Sequence, residues 1–260
     1  MGYFMRESHF TLIADKYRDL RTTDTEPVEF IYKSIKHIPN ILAADVGCGD
    51  GRYSKLFFDY LGEKLYLHCL DENELMLLSL KKYFRENDIR NFNSMVSYAE
   101  EIPLEDNKLD CVFCFNAVHH FHLILFLYEI YRVLKKGGLL YVYTRTRTQN
   151  SRNIWGKYFP LFNKKESSLY ELDEFEFYVD KSEHLELIHE EFYKYQRKSS
   201  IEDLINLAFN IHYSTFNLYD AEEFDRSIQK YRENLEKIYN NLNEITWSDE
   251  NIMYVIKKVF

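Results

Sequence analysis

The sequence predicts an α/β protein built on a doubly wound, mainly parallel sheet. Three observations predict it. Between residues 41 and 145, short apolar runs alternate with amphipathic segments of helical period, an order that gives parallel strands with helices on both faces. The first run, Ile41-Leu42-Ala43-Ala44, passes directly into Asp45-Val46-Gly47-Cys48-Gly49-Asp50-Gly51-Arg52, where alternate glycines mark a tight turn open to close approach by a ligand. Two further strand-like runs, 185–193 and 251–256, lie far down the chain.

The elements follow in order. Residues 9–21 and 27–38 carry helical patterns, the second with Pro27 at a favoured first position. A strand over 41–47 leads to a helix over 52–61, and a strand over 64–70 to a long helix over 73–87. Strands over 93–98 and 110–115 precede a helix over 119–135, for which Gly137-Gly138 is the expected stop. A strand over 139–145 completes the alternation. Beyond it, 201–212 and 221–242 are helix-like. In the latter, Phe224, Ile228, Tyr231, Leu235, Ile238 and Leu242 recur at steps of four and three, a stripe that buries one face. A coiled-coil partner and a cap over the sheet both fit it; a repeat of only three heptads favours the cap.

The glycine turn narrows the chemistry. Dinucleotide-binding turns are spaced G-x-G-x-x-G, whereas these glycines fall as G-x-G-x-G with Asp45 two positions before the first. A carboxylate there repels a pyrophosphate and suits a ligand carrying positive charge, while the N–H groups of the following helix face that ligand. Asp45-x-Gly47-x-Gly49-x-Gly51 resembles the first motif of the class I methyltransferases, which use S-adenosylmethionine. Asp71 ends the next strand twenty residues after Gly51, where an acidic residue accepts ribose hydroxyls. Tyr98-Ala99-Glu100-Glu101-Ile102-Pro103-Leu104 is similar to the family's D-A-E-x-L-P-F segment, which meets adenine. Tyr98 replaces its aspartate and leaves recognition to Glu100 and the Ala99 backbone. Leu109-Asp110-Cys111-Val112-Phe113-Cys114-Phe115-Asn116 reads as the fourth strand, and Leu134-Lys135-Lys136-Gly137-Gly138-Leu139-Leu140 as the turn into the fifth.

The resemblance is specific over 41–146, and it is to the small-molecule group of the family. It implies a mainly parallel seven-stranded sheet with 185–193 and 251–256 paired at its edge, and a helical lid inserted near the C-terminus. It implies one domain over 1–260: N-terminal helices over the cofactor (1–38), a cofactor-binding core (39–149) and a substrate-side region (150–260) with its lid at about 200–242. The implied cofactor is S-adenosylmethionine, held by Tyr17, Arg21, Asp45, Gly47, Cys48, Gly49, Gly51, Asp71, Glu72, Ala99, Glu100 and Asn116. Tyr17 and Arg21 belong to Phe10-Thr11-Leu12-Ile13-Ala14-Asp15-Lys16-Tyr17-Arg18-Asp19-Leu20-Arg21, which resembles the family's F-x-x-x-A-x-x-Y-D-x-x-R with Arg18 in place of the aspartate. An amphipathic surface helix fits that segment equally.

A sulfonium is so good a leaving group that alignment is the main catalytic task, worth ~7–11 kcal/mol. A general base adds ~10²–10⁴-fold only where the acceptor must lose a proton. His119 and His120 are the candidates for that base. They follow Asn116-Ala117-Val118, and His120 matches the histidine of the family's N/S-x-x-x-H arrangement more closely. The alternative is a packing or capping pair of histidines. No metal site is expected, since adjacent histidines diverge on a helix and no nearby Asp, Glu or Cys completes a tetrahedral set.

Composition bounds the rest. A net charge of −9 over 260 residues argues against a dedicated nucleic-acid surface. No apolar stretch reaches bilayer length and the N-terminus lacks a signal-peptide pattern, so a cytoplasmic protein without membrane contact is expected, as monomer or homodimer. Cys111 and Cys114 are spaced C-x-x-C, but strand positions i and i+3 point to opposite faces, which makes them ordinary buried thiols. Among 22 tyrosines and 20 phenylalanines, Trp155, Tyr158, Phe159, Tyr213, Phe216 and Tyr219 fit an aromatic acceptor pocket or simple packing. The expected activity is methyl transfer to O, N or C of a small organic molecule. A tRNA or protein methyltransferase, and a non-catalytic protein that binds S-adenosylmethionine for regulation, are the alternatives.

Overall fold

The computed structural model describes Arg18 and residues 21–260. Its strands are β1 (Ile41–Val46), β2 (Leu65–Asp71), β3 (Phe92–Val96), β4 (Leu109–Phe115), β5 (Leu134–Thr144), β6 (Leu185–Ser199) and β7 (Ile245–Lys258). They form one sheet in the order β3-β2-β1-β4-β5-β7-β6. β1 pairs in parallel with β2 and β4, β2 with β3, and β4 with β5, while β7 runs antiparallel to β5. This is the mainly parallel, seven-stranded sheet expected. The helices are α1 (Glu26–Ile35), α2 (Arg52–Leu61), α3 (Glu74–Glu86), α4 (Leu123–Val133), α5 (Arg147–Arg152), α6 (Ile154–Tyr158), α7 (Phe162–Lys165), α8 (Leu172–Asp180), α9 (Ile201–Phe209) and α10 (Ala221–Ile238). None of those described is long and apolar enough to cross a membrane.

The chain forms two compact units. The larger comprises Thr22–Thr144, Leu172–Glu191 and Ile252–Phe260. Its central strands read as unbroken apolar runs because helices cover both faces. Phe57 of α2 stacks on Phe113 of β4 at 3.9 Å between ring centroids, and Tyr53 packs on Phe115 at 4.4 Å. The Asn73 side chain caps α3 by accepting from the N–H groups of Leu75 and Met76.

The second unit draws on Arg21, Arg145–Glu171 and Phe192–Asn251. Trp155, Phe159, Phe162, Leu204, Phe216, Tyr231 and Leu235 form a core of its own. Ile228, Tyr231 and Leu235 of the α10 stripe are taken up by that core rather than by a coiled-coil partner, while Ile238 is 54 % exposed. Trp155, Phe159 and Phe216 are likewise buried there. For these three, packing is the observed role.

Two sequence expectations need correction. The helix expected over 119–135 is split: Val118–His120 is a 3₁₀ turn closed by the His120 N–H on the Ala117 carbonyl, Phe121 is extended, and α4 begins at Leu123. Gly137-Gly138 does not stop a helix but lies inside β5. Leu134 pairs with Leu109 and Leu139 with Cys111, so residues 135–138 bulge out beside Asp110 alone. Gly137 sits at φ 79°, and a Cβ on Gly138 would lie 2.9 Å from the Lys135 carbonyl oxygen. Four short helices, α5 to α8, stand between β5 and β6, where the sequence reading gave no element; elsewhere among the described residues the differences are of boundary: α9 and α10 end sooner than expected, and β6 and β7 are longer.

Because Phe113 is fully buried against Phe57, Phe113→Ala is expected to lower the unfolding free energy by about 3–5 kcal/mol in urea titrations.

Candidate cofactor and active site

The turn after β1 is held from two sides. Gly47, Gly49 and Gly51 adopt φ of 72°, 56° and 84°, the left-handed region that a side chain disfavours. A Cβ on Gly47 would stand 2.5 Å from the Ala117 Cβ, and one on Gly51 would stand 2.9 Å from the Leu80 Cγ. Backbone conformation and close packing therefore both demand glycine at these two positions. The N–H groups of Gly47 and Cys48 donate to the Leu70 carbonyl at the end of β2. The Gly49 N–H donates to Asp71 Oδ2 at 2.8 Å, and the Asn73 N–H donates to Asp71 Oδ1 at 2.9 Å. A carboxylate offers about four acceptor positions, so Asp71 keeps room for two hydroxyls. Burial raises its pKa against the lowering effect of those two N–H bonds.

Asp45, in β1, is only 1 % exposed. Its Oδ2 accepts from the Ser54 hydroxyl at 2.5 Å, and Oδ1 has no hydrogen-bond partner among the described residues. Burial pushes its carboxyl up to about 7, with the Ser54 bond and the Arg52 charge opposing and Asp71 reinforcing the rise. A buried carboxyl with an open oxygen beside a glycine turn is the arrangement that a cationic ligand group would complete. The cradle, the two acids and the open oxygen fit the amino acid and ribose parts of S-adenosylmethionine.

Beyond Asp71, Glu72, Val96, Ser97, Tyr98, Ile102 and neighbouring residues line an open cavity of about 680 Å³. Ala99 is buried. Glu100 is partly committed, because its Oε1 accepts the His122 N–H at 2.5 Å. Asn116, at the end of β4, holds φ 54° and donates its N–H to the Tyr143 carbonyl. Asparagine is among the non-glycine residues that adopt this left-handed conformation most readily. The His119 and His120 rings lie 4.1 Å apart; His119 is half-buried and His120 exposed.

Sequence reasoning missed the segment that covers the start of α2. Arg52, 8 % exposed, donates to the Thr22 carbonyl at 2.6 Å and to the Thr23 hydroxyl, and the Tyr143 hydroxyl donates to Asp24 at 3.0 Å. Ser54 was missed as well. It stands three residues past the last glycine, a spacing that could have drawn attention to it. Tyr17 lies outside the described residues. Arg21 belongs to the second unit, where its guanidinium carbon sits 4.8 Å from the Tyr213 ring centroid and that of Arg145 sits 5.5 Å away.

The sheet order with its reversed seventh strand, together with the glycine turn and its two acids, defines the class I methyltransferase fold. Residues 44–142 match the family described as a methyltransferase domain, and the fold is that of the class I methyltransferases. YcgJ of Bacillus subtilis, an uncharacterised methyltransferase, is 26% identical over 134 residues, 51% of this chain and 52% of its own length. Its crystal structure superimposes with a TM-score of 0.63 at 16% identity, covering 90% of this chain and 99% of that one; at that identity the likeness bears on fold alone. The ubiquinone/menaquinone biosynthesis C-methyltransferase UbiE of Blochmanniella floridana is 34% identical over 100 residues, 38% of this chain and 39% of its own. The mouse tRNA (carboxymethyluridine(34)-5-O)-methyltransferase is 28% identical over 142 residues, 53% of this chain and 20% of its own. The chain thus spans between 20% and 52% of the lengths of these curated relatives.

The Asp45 carboxyl titrates higher when folded than when unfolded. Between pH 4 and pH 7 the folded state therefore holds a proton that the unfolded chain has lost, and stability falls as pH rises through that window. Asp45→Asn, which still accepts from Ser54, is expected to flatten the fall by on the order of 3 kcal/mol, read as urea-unfolding free energies at pH 5 and pH 8.

Proposed function

We propose that this protein transfers the methyl group of S-adenosylmethionine to O, N or C of a small organic acceptor. The observation that carries the reading is the buried Asp45 carboxyl, open at one oxygen beside the left-handed glycine turn. In this reading Gly47, Cys48, Gly49 and Gly51 present backbone to the cofactor and Asp71 receives its ribose hydroxyls. Glu72, Ala99 and Glu100 bound the adenine side, Asn116 sits near the reacting centre, and Arg21 and Tyr17 close over the cofactor. Residues 39–149 serve as the cofactor-binding core and 150–260 as the substrate side of one domain. When bound, the cofactor supplies an activated methyl on a sulfonium. The chain's own task is to align the acceptor, exclude water and, for an acceptor that must lose a proton, take that proton at a His119 or His120 ring nitrogen.

The small acceptor is favoured by charge. Lys194, Arg197 and Lys198, the basic run that an RNA surface would need, pair with Glu250 (3.4 Å), Asp249 (3.3 Å) and Glu244 (2.7 Å). The tRNA methyltransferase among the relatives supports action on tRNA as a second reading. Tight, salt-sensitive binding of unmodified tRNA would bring it forward.

Calorimetric titration should give binding of S-adenosylmethionine and its demethylated product but not of NAD. Asp71→Ala is expected to weaken binding of the two sulfur ligands by ~10–100-fold. Failure of both sulfur ligands to bind ligand-free protein would overturn the reading. With an acceptor in hand, loss of the base through His120→Ala or His119→Ala should lower kcat by ~10²–10⁴-fold with cofactor affinity unchanged. Unchanged turnover in both would leave alignment as the whole mechanism.

A further inference from the structure

Between β3 and β4 the chain lines the open cavity beyond Asp71. The charged groups lining that cavity are the carboxylates of Glu72, Glu101 and Glu105 and the guanidinium of Arg132. A guanidinium has five N–H donors, and Arg132, on α4, spends all five. Nε and Nη2 donate to the two oxygens of Glu129 at 2.8 and 2.7 Å, and Nη2 also donates to the Ile102 carbonyl at 2.7 Å. Nη1 donates to the Leu104 carbonyl at 2.6 Å and to Asp106 Oδ1 at 2.9 Å. Glu129, itself buried at 7 % exposure, accepts the Ile102 N–H at 2.7 Å. Both backbone groups of Ile102 are thus held by one pair of side chains.

The pair acts where regular structure does not. Residues 102–106 belong to no strand or helix. On one side of them the Ser97 hydroxyl donates to the Glu101 carbonyl at 2.8 Å. On the other, the Asn107 and Lys108 N–H groups donate to the Arg132 and Val133 carbonyls. The stretch between these anchors is left to Glu129 and Arg132, three residues apart on one face of α4. We propose that Arg132, forked onto Glu129, is a positioning residue that fixes residues 102–106 as the adenine wall of the cofactor site. This role rests on the cofactor reading proposed above.

The fork also decides what the cavity offers a base. With its donors spent on Glu129, Asp106 and two carbonyls, Arg132 has none left for a ligand. The charged groups that remain are carboxylates, which only accept. Adenine presents an exocyclic amino group, a donor, whereas hypoxanthine has a carbonyl oxygen, an acceptor, in its place. The cavity therefore prefers the amino-bearing base, and the preference lasts only while the segment next to Glu101 and carrying Glu105 is held. Lysine cannot take over the role of Arg132. Three donors on a single nitrogen do not pair bidentately with Glu129 and also reach both carbonyls.

Calorimetric titration of the full chain with S-adenosylhomocysteine and with S-inosylhomocysteine tests the role through base preference. The wild type should bind the adenosyl ligand at least ~10-fold more tightly than the inosyl one. Arg132→Met, which keeps the side-chain length and removes every donor, should weaken the adenosyl ligand by ~10-fold or more while changing the inosyl one little. Arg132→Lys should lose most of the preference as well. Far-ultraviolet circular dichroism and thermal midpoints check that each variant is folded; where Arg132→Met is not, Glu129→Gln, which breaks the fork alone, carries the same expectation. A wild type that binds both ligands equally would overturn the role. So would folded variants that keep the wild-type preference, or that lose both ligands to the same extent, as a merely structural part would. Failure of the wild type to bind S-adenosylhomocysteine at all would overturn the cofactor reading along with it.

Discussion

The carboxylate of Asp71 ties together two places where the chain reverses. One oxygen takes the Gly49 N–H from the turn leaving β1, and the other takes the Asn73 N–H at the entry to α3. Three glycines in left-handed backbone have no side chains with which to hold their own turn. The anchor must come from the neighbouring strand, and Asp71 supplies it together with the Leu70 carbonyl. The start of α2, the place of Asp45 beneath the turn and the lone pairs left on Asp71 all follow from that bond. A site of this kind is pre-organised by the sheet itself, since β1 and β2 are paired in register from Ile41 and Leu65 up to Val46 and Leu70.

Burial of acids gives the turn its selectivity. Asp45 and Asp71 both sit where desolvation disfavours their charged forms, and the nearby Arg52 turns toward Thr22 and Thr23. An anionic ligand would add like charge to this arrangement. A cationic one would relieve the unfavourable charging of Asp45, so preference for positive charge is built into the unliganded fold.

Much of this was legible in the sequence, for a physical reason. The turn and its acids are local patterns, set by residues whose roles depend on backbone geometry more than on distant packing. The parallel strands were legible because burial on both faces makes them uniformly apolar. What escaped was decided at a distance. Gly137-Gly138 follows a helical pattern and reads as a stop, yet pairing of Leu134 with Leu109 starts β5 early and turns the glycines into a bulge. Glu100 fits a ligand-facing pattern, while the fold gives one of its oxygens to the His122 N–H. Ser54 and Arg52 sit in an ordinary helical stretch, and only the fold reveals that they touch Asp45 and the Thr22 carbonyl and Thr23 hydroxyl. The aromatic residues marked as pocket candidates were ambiguous by composition, and Trp155, Phe159 and Phe216 resolve into core.

The strand thiols carry a consequence for the protein as a target of oxidants. Cys111 and Cys114 are fully enclosed in β4, and burial raises the pKa of both. Cys48, in the glycine turn, is less enclosed, but desolvation and the neighbouring Cys69 and acids push its thiol up as well. Peroxides and alkylating agents attack the thiolate, which is scarce at all three positions. The same burial that stabilises the sheet and shapes the turn therefore shields these sulfurs from damage, without any residue dedicated to protecting them.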